Sequence, residues 1–422
     1  MTGLPAVPSF RGVRIAITAI GSAGDVHPFV AVGRGLRERG HDVLILASAW
    51  YEEAVTGAGL EFAAMDTREH YVEMTARPEL WNPKRAFPFI MREAVLATLK
   101  PLHDRLVAEA RAGAVLVGSS LDLAGRLVQE KLGARFVSAH VQPAFLRTVH
   151  RLPVLKGAEF VRRMPRWFKR GFWRFSDFFF DHTWVPQFNA FRREIGLGPV
   201  RRPMNGWWDS PDRILGLWPE WFGPVQPDWP AQLRLVGFPF FDRAAAQPLD
   251  RDLSRWLGEG PPPVVFTHGS ANVQGAAFFR ESLAICERLK VRGVLVTASR
   301  ADVPDDLPPT VRHESYVPFS LLLPRAAALV SHGGIGTVAQ GLLAGTPQLV
   351  VAMAHDQHDN GSRLEDLDVG AMLDIQRFDA ARASRLVDDL LRDAARKARC
   401  QERAALLRAD DPVARACSAI LG

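Results

Sequence analysis

The feature that most limits how this chain can fold is an alternation of apolar runs of strand length with helical patterns, several of them joined through glycine-bearing turns. It opens with Arg14–Ile20, the turn Gly21-Ser22-Ala23-Gly24-Asp25, a helical pattern from Pro28 to Arg39 and a second strand at Val43–Ala47. Ala114–Gly118, a helix over Asp122–Leu132 and a strand over Arg135–Ala139 repeat the scheme. Successive strands joined through helices pair in parallel and are covered on both faces, so the pattern predicts an α/β fold with doubly wound parallel sheets.

At 422 residues the chain exceeds what one core organises, and the rhythm stops near Pro239. A polar, Ala- and Pro-rich stretch then ends in Pro261-Pro262-Pro263, which continues neither a helix nor a central strand. The reading divides the chain into a first domain over 1–242, a linker over 243–262, a second domain over 263–400 and a helical tail over 401–422. The second series runs through Val264–Thr267, Val294–Ala298, Ala328–Ser331 and Gln348–Ala352, with a helix from Gly336.

No apolar run approaches the roughly 18 residues of a membrane span, and the start has no secretory pattern. Cys286, Cys400 and Cys417 have no metal-ligand spacing and cannot all pair, which fits a reduced, cytoplasmic setting. The formal charge of +6 is concentrated, with Arg147, Arg151, Arg162, Arg163, Arg166, Arg170 and Arg174 in one segment.

The strongest local signal is Ser331-His332-Gly333-Gly334-Ile335-Gly336-Thr337, between a strand and a helical run. Glycines let backbone amides approach an anion, and the helix start adds a favourable dipole, so this is read as a diphosphate seat. Thr337 caps the helix or donates to a phosphate oxygen, and His332 donates to the same group as charge grows on it. Thr267-His268-Gly269-Ser270 follows another strand and faces the same group from the opposite side. His355-Asp356-Gln357-His358-Asp359-Asn360, read as a loop past a strand end, offers the donors and acceptors that sugar hydroxyls need.

A metal site at His355 and His358 is the rival, but an i, i+3 pair in a loop is not helical ligand spacing. The D-x-D triplets Asp250-Arg251-Asp252 and Asp366-Leu367-Asp368 lie in helical or linker context. In the first domain G-x-x-G-D is not a dinucleotide fingerprint, which leaves Asp25 and His27 as candidates for a general base. The alternative for Asp25 is a cap on a helix starting at Pro28.

Taken together, and with Gly237-Phe238-Pro239, these motifs resemble the family 1 glycosyltransferases over nearly the whole chain, and within them the rhamnosyltransferases of rhamnolipid synthesis. The resemblance implies a GT-B fold, two Rossmann-like domains facing across a cleft, with the acceptor on the first and the sugar nucleotide on the second. It implies that Tyr316 stacks on the base, that Val317 bonds it through the backbone, and that Asp356 and Gln357 hold the sugar. Phe319 and Gln340 stand where plant relatives carry ribose-binding glutamine and glutamate, which favours a thymidine-linked (dTDP) donor over a uridine-linked (UDP) one. The implied reaction is an inverting hexosyl transfer with no cofactor and no metal, rhamnose being the expected sugar. A UDP-glucose-dependent sterol or flavonoid glucosyltransferase is the second reading, and a catalytically silent binding subunit the third.

Between Phe160 and Phe191, Trp167, Phe168, Phe172, Trp173, Phe175, Phe178, Phe179 and Phe180 interleave with the basic residues. That pattern suits a hydrophobic acceptor alcohol of hydroxy-fatty-acid type, or peripheral contact with an anionic membrane. Nucleic acid is not expected, since no binding motif accompanies the patch.

Overall fold

The computed structural model describes residues 12–82, 85–242, 248–269 and 275–422. The first sheet contains β1 (Arg14–Thr18), β2 (Asp42–Ala47), β3 (Glu61–Ala64), β4 (Val115–Ser119), β5 (Phe136–His140), β6 (Arg213–Gly216) and β7 (Leu233–Leu235). Its order is β3-β2-β1-β4-β5-β6-β7 and its pairings are parallel. The second contains β8 (Val264–Thr267), β9 (Gly293–Val296), β10 (Val311–Glu314), β11 (Ala328–Ser331), β12 (Gln348–Ala352) and β13 (Gly370–Asp374), ordered β10-β9-β8-β11-β12-β13 and again parallel.

The apolar runs are continuous because both faces of each sheet are covered. Ile15 and Ile17 enter one core and Ala16 the core on the other side; Val43 and Ile45 alternate with Leu44 and Leu46 in the same way. Val264 and Phe266 likewise part from Val265. The strand order reverses between β1 and β4 and between β8 and β11, so the connections diverge there and open a crevice at the carboxyl ends of the strands.

Three sequence expectations change. The first helix is Ala23–Glu38, not a helix beginning at Pro28: Ser22 caps it in a capping box with Asp25, and Pro28 is carried within. The expected linker contains the helix Arg251–Gly258, whose Leu253 and Leu257 join Val265 and Leu329 in a core, so the second unit begins before residue 263; residues 243–247 lie outside the described residues. The boundary at 400 falls inside the helix Ala394–Arg408. The final helix, Pro412–Leu421, returns to the first sheet, where Arg135 donates to the Ile420 carbonyl at 2.7 Å and Arg415 to that of Val236 at 2.7 Å.

Candidate active site

Both crevices open on one cavity of about 1050 Å³, lined from the first unit by Gly21–Asp25, His27 and Ser119–Leu121 and from the second by Thr267–Gly269, His332 and Gly334–Thr337. At its centre two helix starts meet. A Cβ on Gly336 would stand 3.1 Å from the Gly24 Cα, and one on Gly24 would stand 3.3 Å from the Gly336 nitrogen. Only glycine at both positions allows this approach.

On the first side Gly21 has φ +135°, and a Cβ there would fall 2.4 Å from an Asp25 carboxylate oxygen. The turn thus folds tightly over Asp25. The Ser22 amide and hydroxyl donate to Asp25 Oδ2 at 2.8 and 3.0 Å. Burial pushes the Asp25 pKa up, against the two hydrogen bonds that favour its ionised form. Asp25 therefore caps its helix and lines the cavity at once. His27 also lines it, its ring edge-on to Phe241 at 5.4 Å and to Tyr51 at 6.3 Å.

On the second side the helix Ile335–Ala344 begins at Gly334, which has no side chain to cap it. Its first backbone bond runs from the Val338 amide to the Gly334 carbonyl, so the Ile335, Gly336 and Thr337 amides are the unspent donors of a helix start. Thr337 lies within this first turn and is not the cap. The His332 ring is held between glycines: a Cβ on Gly269 would stand 2.7 Å from Cε1, and one on Gly334 2.5 Å from Nε2. Burial, with His268 and His355 nearby, lowers its pKa to about 4, so the imidazole is neutral at pH 7. Its Nδ1 has no hydrogen-bond partner among the described residues.

The segment after β12, expected as a loop, is a helix. Asp356 is its cap residue and Gln357–Asp366 its body. Gln357 Oε1 accepts from the Met353 and Ala354 amides at 2.8 and 3.0 Å, which fixes the side chain and leaves its amide NH2 to offer. Asn360 donates to the Gly333 carbonyl at 3.0 Å and to Asp356 at 2.5 Å, tying the glycine turn to the acid. Burial and the nearby Asp25 raise the Asp356 pKa to about 7.

The two histidines separate. His358 pairs with Asp374 at 3.0 Å, while His355, at φ 57°, turns its ring to the Leu80 carbonyl and the edge of Trp81. Among the described residues no three metal-ligating side chains converge.

Of the residues expected at the site, Tyr316, Val317, Gln340, Asp356 and Gln357 line the cavity, as do Gly269, Gly334, Gly336 and Thr337; Ser270 lies outside the described residues. Tyr316 is half-exposed at the rim, and Gln340 Oε1, one turn beyond Gly336, has no partner among the described residues. Sequence reasoning missed Ser22 as the group that holds Asp25. It also missed the Tyr51–Tyr71 hydroxyl pair at 2.7 Å, and the His268–Asp302 pair at 3.7 Å behind His332. Ser22, three residues before Asp25, carries the spacing of a capping box that could have found it, and His268 lies in the second glycine turn, but Tyr51, Tyr71 and Asp302 carry no motif of their own.

The remaining wall is apolar. The helix Arg166–Thr183 contributes Phe172, Trp173 and Phe180, facing Met74, Phe87 and Ile90. Arg147 lies against the Trp173 ring at 4.9 Å and pairs with the buried Asp177.

Comparison with known proteins gives the site its context. Residues 15–151 match the glycosyltransferase family 28 N-terminal domain, and residues 291–418 the C-terminal domain of the erythromycin biosynthesis protein CIII-like family. An O-mycaminosyltylonolide 6-deoxyallosyltransferase of Streptomyces fradiae is 32% identical over 381 residues, 85% of either chain. Among solved structures, the glycotransferase of kitacinnamycin superposes with a TM-score of 0.70 at 22% identity, covering 97% of this chain and 98% of its own. The spinosyn rhamnosyltransferase SpnG, complexed with thymidine diphosphate, does so at 0.63 and 20%, covering 95% and 98%.

Proposed function

Because the chain belongs to the nucleotide-sugar glycosyltransferases of the two-domain GT-B fold, we propose that it moves a 6-deoxyhexose from thymidine diphosphate to a hydroxyl of a bulky apolar acceptor. One observation carries this reading: an uncapped helix start and a buried carboxylate face each other across a single cavity whose other wall is aromatic. The donor half follows two relatives, one named for a 6-deoxyallosyl group and one solved with thymidine diphosphate. Rhamnose remains the sugar expected, and the spinosyn relative is named for its transfer. For the acceptor, these relatives favour a polycyclic or macrocyclic natural product over a hydroxy-fatty acid, and a cavity of about 1050 Å³ has room for one beside the donor.

The diphosphate sits on the Ile335–Thr337 amides, with the His332 N–H donating to it. Asp356 and Gln357 hold sugar hydroxyls, and Tyr316 stacks on the base. The acceptor oxygen attacks the anomeric carbon from the Asp25 side, the bond to diphosphate breaks, and Asp25 takes the hydroxyl proton. A single displacement inverts the anomeric centre. The departing charge falls on amides, a helix dipole and a neutral imidazole, which supply the electrostatic stabilisation without a metal.

The test is nucleotide release from a panel of thymidine- and uridine-linked sugars with a polycyclic alcohol, before and after Asp25→Asn. The expected outcome is preference for the thymidine donor and a loss of transfer of about 10²–10⁴-fold, the range for a general base, with thymidine diphosphate still raising the melting temperature of the variant. Transfer unaffected by the substitution removes Asp25 from the role. Stabilisation by neither nucleotide removes the donor site.

A further inference from the structure

The helix Arg166–Thr183 has a second face that the cavity does not use. Trp167, Phe175 and Phe178 are 71%, 69% and 61% exposed. They follow one another at helical spacing and stand on the side opposite Trp173 and Phe180, with Phe160 exposed on the preceding turn. Large aromatic rings left in water along one stripe are a cost that a folded protein avoids unless the stripe meets something.

Beside that stripe, Arg166, Arg170 and Arg174 recur every fourth residue, with Arg163 ahead of them, and all four are exposed. Among the described residues none of them forms an ion pair, whereas Arg147, Arg151, Arg192 and Arg363 each pair with an acid. The acids of the helix are spent: Asp177 is buried against Arg147, and Asp181 accepts from the Arg202 amide at 2.8 Å. On the preceding turn the exposed Glu159 accepts from the Gly157 amide at 2.9 Å, and the outer face of the helix itself is aromatic and cationic, with no acid of its own to balance it. Among the described residues no helix is long and apolar enough to cross a membrane, this one included, so insertion across a bilayer is not what the stripe serves.

We infer that this face docks the protein on an anionic lipid surface, the rings entering the headgroup boundary and the arginines meeting lipid phosphates. Charge complementarity selects lipid over a second copy of the chain, because two copies of this face would set one arginine row against the other. The position also has a use. The same helix lines the acceptor cavity through Phe172, Trp173 and Phe180, so an apolar alcohol dissolved in the bilayer would meet the cavity wall without first crossing water.

The experiment is co-sedimentation of the full chain with vesicles of phosphatidylglycerol and phosphatidylcholine, against phosphatidylcholine alone. The expected result is binding to the anionic vesicles that falls steeply with salt. Arg166→Gln, Arg170→Gln and Arg174→Gln together should weaken it about a hundredfold, roughly fivefold for each arginine. Trp167→Ser with Phe175→Ser should abolish the part that survives high salt. Unligated melting temperatures near that of the parent establish that the variants fold. Equal binding to both vesicle types, or binding to neither, overturns the inference. So does a concentration-dependent dimer that the serine variant disperses while vesicles bind nothing, since the face would then belong to a second copy.

Discussion

Asp25 is held between two opposed influences, and Ser22 decides their balance. Burial disfavours the carboxylate, while the Ser22 amide and hydroxyl favour it. Ser22→Ala removes one of the two hydrogen bonds, worth about 1.5–3 kcal/mol to a charged group, so the acid must become harder to ionise. The acid limb of kcat/KM is then expected to move to higher pH, by about one unit at least, with activity at pH 6 falling more than at pH 8. An unmoved limb would mean that another group titrates. Asp356 offers a separate sign. Its pKa is raised to about 7 by burial and by Asp25, above its unfolded value. The stability tied to its protonated form is fully present below the unfolded pKa and is lost as pH rises through 7. Asp356→Asn should therefore raise the melting temperature of the unligated protein by more at pH 8 than at pH 5, while weakening transfer because one of the two carboxylate oxygens that can accept from the sugar is replaced by an NH2 donor. A gain independent of pH would show that Asp356 is ionised in the folded protein across the range.

Between elements, the contact that matters is helix start against helix start. Gly336→Ala places a methyl group 3.1 Å from the Gly24 Cα, backbone that cannot rotate away. The starts must separate by a few tenths of an ångström, and misplacement on that scale is expected to cost about tenfold in kcat. Alanine is otherwise a good helix former, so stability should change little, and steady-state kinetics beside thermal melting separate the two effects. The glycines at this contact were legible in the sequence, because turns after central strands have few other solutions. So were β1, β2, β4, β5, β8, β9, β11 and β12, whose runs are apolar because both faces are covered. The flanking β3, β6, β7, β10 and β13 were not. Glu61, Arg213, Arg234 and the Arg312-His313-Glu314 run break the apolar patterns that made the central strands, of similar length, readable. The segment after His355 misled for a different reason. His358, Asp359, Asn360 and Arg363 are polar, which reads as a loop, yet each is buried on a helix with a partner: Asp359 holds Arg363 at 2.7 Å and the Val154 amide at 3.0 Å, and Arg363 reaches the Phe222 carbonyl at 3.1 Å. Contacts across units leave no local periodicity.

At the scale of the whole chain, the two units are joined again after the second sheet is complete. The helix Pro412–Leu421 buries Ala416, Cys417 and Ile420 in the same core as Val32 and Leu36 of the first helix. Arg135 and Arg213 donate to its last carbonyls, at Ile420 and Ala419, where a helix end leaves acceptors unspent and favours positive charge. Seating depends on Gly35, since a Cβ there would stand 2.3 Å from Val413 Cγ1. This fixes a sign that helix propensity alone would get wrong. In an open helix Gly→Ala stabilises by about 1 kcal/mol, but overpacking a filled contact costs about 1–3 kcal/mol, so Gly35→Ala is expected to destabilise. Val413→Ala removes the offending methyl, and in that background the same Gly35→Ala change should turn neutral or stabilising. Urea unfolding of the two single variants and the double variant measures the coupling directly. Additive penalties would mean that the last helix does not sit on the first, and that something other than this strap holds the two sheets to one cavity.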